Sequence, residues 1–95
     1  MLIKKSFTTN DVVSLKISSG EEVIARFIGE DKEYFHVTKP NVLMMNQQGM
    51  GMVPFMITSN PDQDYAIAKQ NIIAISFTDN DVGKLYLSKT SGIAL

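Results

Sequence analysis

Val13-Ser14-Leu15-Lys16-Ile17-Ser18-Ser19-Gly20-Glu21-Glu22-Val23-Ile24-Ala25-Arg26-Phe27-Ile28 is the stretch that decides the fold. Val13, Leu15 and Ile17 alternate with Ser14 and Lys16, the period of two that sends one side of a strand into a core. Ser18-Ser19-Gly20-Glu21 is a turn-forming cluster that ends the run. Beyond it Val23, Ala25 and Phe27 form one face, while Ile24 and Ile28 leave the opposite face partly apolar around Arg26. A β-hairpin follows from this pattern, and its second strand, apolar on both faces, is expected at the centre of a sheet or at an interface.

The same period continues outward from the hairpin. Gly29-Glu30-Asp31-Lys32-Glu33 makes a polar break, after which Phe35 and Val37 oppose Tyr34, His36 and Thr38 as far as Pro40. Proline has no N–H to give a ladder, so Pro40 marks a bulge, a bend or an edge. The apolar pattern resumes over 42–45, which implies one long, strongly bent strand or two short ones. Asn46-Gln47-Gln48-Gly49 turns the chain toward 52–57, where Pro54 again signals an edge or bulge. Residues 59–64 form the clearest loop. Segments 65–68 and 72–77 are short and β-prone around Lys69-Gln70-Asn71, with Ile73, Ile75 and Phe77 alternating.

The last segment changes period. Val82, Leu85, Tyr86 and Lys89 stand at helical spacing, Thr78-x-x-Asp81 reads as a capping box with Asp in place of Glu, and Gly92 is placed to end the helix. Gly83 inside it costs about 1 kcal/mol relative to Ala, so the helix must lean on tertiary contacts through Val82, Leu85 and Tyr86.

With 95 residues the chain can bury one compact core, and its 44% apolar and 20% charged content is that of a folded domain. A net charge of −1 gives no electrostatic footprint for duplex nucleic acid. No run approaches the ~18 apolar residues of a membrane span. The absence of cysteine removes disulfides, thiolate metal sites and Cys nucleophiles. A cytoplasmic setting and no membrane partner are the expectation.

No arrangement of residues reads as catalytic. His36 is the only histidine, and without cysteine a metal cluster would need carboxylates alone. The carboxylates gather in turns (Glu30, Asp31, Glu33; Asp62, Asp64; Asp79, Asp81), where solvation and capping account for them. Asn60-x-Asp62-x-Asp64 opens like a calcium loop, but Tyr65 stands where Gly is needed and Asn71 where a bidentate Glu is needed. Gly49-x-Gly51 lacks a third glycine and a following helix, so it is a turn. No nucleophile, base and orienting group can be named together, and no cofactor or metal is expected.

The methionines are more informative. Five of six, Met44, Met45, Met50, Met52 and Met56, fall within thirteen residues. Methionine fills irregular gaps and suits adaptable binding surfaces, and on strands alternating to both faces these side chains cannot all enter one small core. Ordinary packing with an exposed turn and an oligomer interface are both open. An interface would draw on Met44, Met52, Phe55, Met56, Ile73 and Ile75.

Taken over residues 12–77, the chain resembles the Sm-like proteins, and among them the compact ones carried by phages of marine cyanobacteria, in which a C-terminal helix follows the barrel. The family's first block ends in a loop reading roughly Gly-x-Asp-x-x-aromatic-Met-Asn. Gly29-Glu30-Asp31-Lys32-Glu33-Tyr34-Phe35-His36 stands there, Tyr34 taking the aromatic place and His36 replacing Asn. The second block centres on Ile-Arg-Gly, and Ala68-Lys69-Gln70-Asn71-Ile72 stands there, with Lys69 for the arginine and no glycine.

The resemblance implies a mainly β single domain over 1–95: a five-stranded, strongly bent antiparallel barrel over about 12–77 and a helix over about 79–89. It implies a homo-oligomeric ring of about five to seven subunits. It also implies weak, non-catalytic binding of short single-stranded RNA through Lys32, Tyr34, His36, Lys69, Gln70 and Asn71. An aromatic, a histidine and a lysine near a pore supply the stacking and local cation that single-stranded RNA recognition needs. The alternative is a structural or assembly module that forms a homo-oligomeric ring without binding nucleic acid.

Overall fold

The structure is a computed structural model and describes residues 6–60 and 62–91, Ser91 by its backbone only. Gly92, expected to end the helix, lies outside the described residues. The elements are β1 (Val12–Ile17), β2 (Glu22–Glu30), β3 (Tyr34–Asn46), β4 (Gly49–Pro54), β5 (Asp64–Ala68), a single 3₁₀ turn (Lys69–Asn71), β6 (Ile72–Phe77) and α1 (Asn80–Ser91). The protein is mainly β, with one antiparallel sheet and one C-terminal helix.

The strands run β4-β3-β2-β1-β6, and β5 also pairs with β3. All pairings are antiparallel. The described residues form six strands where the barrel implied by the resemblance has five, because β4 and β5 share one track. β4 pairs with residues 41–46 of β3 and β5 with residues 34–38, the chain leaving the sheet between them. Among the described residues no pairing joins β6 to β4 or β5, so the sheet is open at both ends.

Proline explains the bend in β3. Opposite β2 the register steps from Ile24↔Asn41 to Arg26↔Thr38, so β3 carries one extra residue at Lys39-Pro40. Lys39 takes a φ of 50°, the left-handed region that a non-glycine residue adopts only where its surroundings impose it. A bulge frees ladder groups and bends the strand that carries it. Thirteen residues thus form one strand with two halves of different direction. A second bulge, on β2 between Phe27 and Gly29, and a third, on β6 opposite Lys16 and Ile17, curve the sheet further.

The inner face buries Leu15, Ile17, Val23, Ala25, Val37 and Ile67, with Val42, Phe55, Tyr65, Ile72 and Ile75 packed against them. Phe7 packs against Phe27 and Phe77, the rings tilted and their centroids 5.8 and 4.7 Å apart. The second apolar face of β2 is also accounted for. β2 is central, between β1 and β3, and Ile24 on its outer side packs with Met52 and Tyr86 beneath α1.

Tyr86 fastens the helix to the bulge. Its ring is fully buried, and its hydroxyl donates to the carbonyls of Thr38 and Lys39 at 3.1 and 2.8 Å. Burial pushes the phenol up to about 12, so it stays a donor.

The helix differs from the sequence reading in two details. Asp79 is the N-cap, its Oδ2 accepting from the N–H groups of Asp81 and Val82 at 3.1 and 3.3 Å, because the Thr78 hydroxyl is engaged with Ser14. Leu85, expected in the packed stripe, faces outward, and Leu87 packs beside Val82 instead. No helix among the described residues is long and apolar enough to cross a membrane.

Candidate functional site

The loop between β2 and β3 is built on one carboxylate. Asp31 Oδ1 accepts from the backbone N–H groups of Glu33 and Tyr34 at 2.9 and 2.8 Å, an Asx-type turn. Its own N–H donates to the Tyr34 carbonyl at 3.0 Å, and its Oδ2 lies 2.8 Å from His36 Nε2. The hydrogen bond with His36, followed by those from Glu33 and Tyr34, holds the Asp31 carboxyl down at about 2. The turn presents Tyr34, 40% exposed, at the first position of β3.

The 3₁₀ turn arrives beside it through the ladder. Tyr34 sits opposite Ala68, and the Lys69 N–H donates to the Glu33 carbonyl at 2.9 Å. Lys32, Glu33, Tyr34, Ala68, Lys69 and Gln70 therefore line one cleft of about 280 Å³. Two segments more than thirty residues apart in sequence meet here.

Four of the six expected residues share that cleft: Lys32, Tyr34, Lys69 and Gln70. His36 is on the same face of β3 as Tyr34, their rings 6.4 Å apart, but its Nε2 is engaged with Asp31 and it does not line the cleft. Asn71 is exposed at the far end of the turn, where its carbonyl accepts from the Ser18 N–H at 2.8 Å.

One of the two cations in the cleft is not free. Lys69 Nζ lies 2.7 Å from Glu30 Oε1 and 5.0 Å from the centroid of the Phe35 ring. A cation over a ring face, neutralised by a carboxylate, is positioned but electrostatically muted. Glu30 was read from sequence only as a turn carboxylate. Residues 39 apart carry no periodicity that would reveal the pair, and only the register of β3 with β5 brings them together.

The residues considered for association divide in two. Met52 is buried under α1, and Phe55 and Ile75 pack on the inner core. Met44, Met56 and Ile73 are exposed. Ile73 does not share a face with Ile75 as strict alternation implied. The register slips between Lys16↔Ala74 and Ile17↔Ile72, leaving Ile73 as the extra residue and 66% exposed. Met45 and Met50 of the methionine cluster, together with Val53 and Ile57, which sequence reading did not name individually, also expose apolar surface along or beside β4.

Among the described residues no three His, Asp or Glu side chains are grouped to hold a metal ion. No protein-family model matches the chain, and no curated protein matches its sequence.

Proposed function

We propose that this protein is an Sm-like ring subunit that holds short single-stranded RNA weakly in the cleft between Tyr34 and Lys69. The observation that carries the reading is the meeting of Lys32, Tyr34, Lys69 and Gln70 at one cleft, an exposed aromatic face beside two ammonium groups and an amide. Bases stack on aromatic faces whatever their identity, and lysines follow the backbone phosphates. The ring is closed by pairing the free edge of β6 with the free β4/β5 edge of a neighbour, two edges at opposite ends of one sheet that both carry exposed apolar residues. A head-to-tail contact of this kind closes when its rotation does, at about five to seven subunits in the proteins the chain resembles.

Fluorescent oligo-U and oligo-A titrations test RNA binding. Losing one base stack costs about 1–3 kcal/mol, so Tyr34→Ala weakens binding roughly tenfold or more. Unchanged affinity in a Tyr34→Ala, Lys69→Ala double variant would place any RNA elsewhere.

The second reading, a ring that binds no nucleic acid, is favoured by the Glu30–Lys69 pair and by the net charge of −1. Glu30→Gln separates the two. Freeing Lys69 raises oligonucleotide affinity severalfold and steepens its salt dependence toward one more phosphate contact, a slope change of about 0.7 for a single strand. On the second reading, neither form binds.

A further inference from the structure

Between β4 and β5 the chain leaves the sheet, and a cleft of about 350 Å³ opens between the β3 bulge and the last turns of α1. Met56, Ile57 and Tyr65 line it together with Lys39, Lys89 and Thr90. It shares no residue with the Tyr34 cleft. Its volume lies at the lower end of the ~300–1,000 Å³ typical of small-molecule sites.

The chemistry of the lining is one-sided. Two ammonium groups and three hydroxyls, those of Ser59, Tyr65 and Thr90, stand among apolar side chains, and among the described residues no carboxylate lines the cleft. Neither Lys39 nor Lys89 pairs with a carboxylate among the described residues, whereas Lys69 does. Ile57 is 91% exposed and Met56 about half, so the apolar wall lacks a cover in the single chain. The backbone beneath one of the two cations is held by the fold. Lys39 is the left-handed residue of the bulge, its carbonyl fixed by the Tyr86 hydroxyl and by the Asn41 side-chain amide at 2.9 Å.

We infer that this cleft binds a small anionic amphiphile, its carboxylate or phosphate head between Lys39 and Lys89 and its apolar body along Met56, Ile57 and Tyr65. A free inorganic anion would leave the apolar wall in water, and a neutral hydrocarbon would leave two cations unmatched. Only a ligand with both parts satisfies the lining.

Octanoate, octyl phosphate and octylammonium, titrated into the full-length protein and followed by amide chemical shifts, test the inference. Octanoate or octyl phosphate gives saturable shifts at Asn41, Ile57, Ser59 and Thr90, and whichever binds more tightly identifies the head group. Octylammonium gives none there. Lys39→Gln, Lys89→Gln weakens binding of the anionic probe at least tenfold. Lys89→Gln alone, at an exposed helix position that leaves the bulge untouched, weakens it about threefold, and added salt weakens it in the wild type. Octylammonium binding as tightly as octanoate, affinity unchanged in Lys89→Gln, or the absence of saturable shifts at these four amides overturns the inference.

Discussion

The two halves of β3 are one continuous strand, yet they are held in different ways. Residues 34–38 are tied down by polar contacts: the Asp31 turn, the His36 hydrogen bond, the Glu30–Lys69 pair and the β5 ladder. Residues 41–46 run out with β4 as a hairpin whose outer surface is methionine, Met45 being 74% exposed. The Lys39-Pro40 bulge separates them. One half thus fixes polar groups in place at a cleft, and the other presents soft apolar surface that can adapt to a partner. The difference teaches that a single proline can divide a strand into an end held by polar contacts and an end clad in exposed methionine without ending the strand.

The largest test of this division lies within the methionine half. Met52 and Met45 point to the same side of the hairpin, but only Met52 is covered, by Tyr86 and α1. Met52→Ala is expected to destabilise the protein by about 2–5 kcal/mol in urea unfolding, as for other buried large-to-small changes. Met45→Ala should change stability by less than about 0.5 kcal/mol while weakening self-association. Equal effects of the two on stability would mean that the hairpin has no distinct outer surface.

Next in size is the joint between the halves. Tyr86→Phe keeps the buried ring and removes only the donor to Thr38 and Lys39. Leaving those carbonyls short of a partner costs about 1–3 kcal/mol, read as a lower urea midpoint with the slope unchanged. A variant as stable as wild type would show that the bulge stands without the helix.

The order in which these features can be read from sequence follows from physics. Strand alternation, the turns at Gly20 and Gly49, and the helical period after Thr78 are local signals, and they led to β1, β2, β6 and α1. Pro40 announced a bulge, a bend or an edge because the missing N–H is a property of one residue, and the register shows the bulge. Three things were hidden because they depend on register. The splitting of one track into β4 and β5 needs the pairing with β3, the exposure of Ile73 needs the slip at Lys16 and Ile17, and the Glu30–Lys69 pair needs both segments in place. At the cleft, Lys32, Tyr34, Lys69 and Gln70 were legible from motif positions, but the neutralising carboxylate was not.

The smallest expected effect lies in the polar half. Asp31 has its folded-state pKa depressed from 3.8 to about 2, so the stability this turn contributes is present in full above about pH 4 and is lost as pH falls through about 2. The amide signals of Glu33 and Tyr34 should titrate with that low midpoint, and Asp31→Asn should abolish the titration while leaving the methionine hairpin unmoved. A midpoint near 4 would mean that the carboxylate is not held by His36 and the two backbone donors.

The most direct test of the central claim, that the exposed β4/β5 and β6 edges join between subunits, is sedimentation velocity of the wild-type protein across micromolar concentrations. The account predicts one closed oligomer of about five to seven subunits, with no larger species growing in at higher concentration. A monomer throughout that range would contradict it.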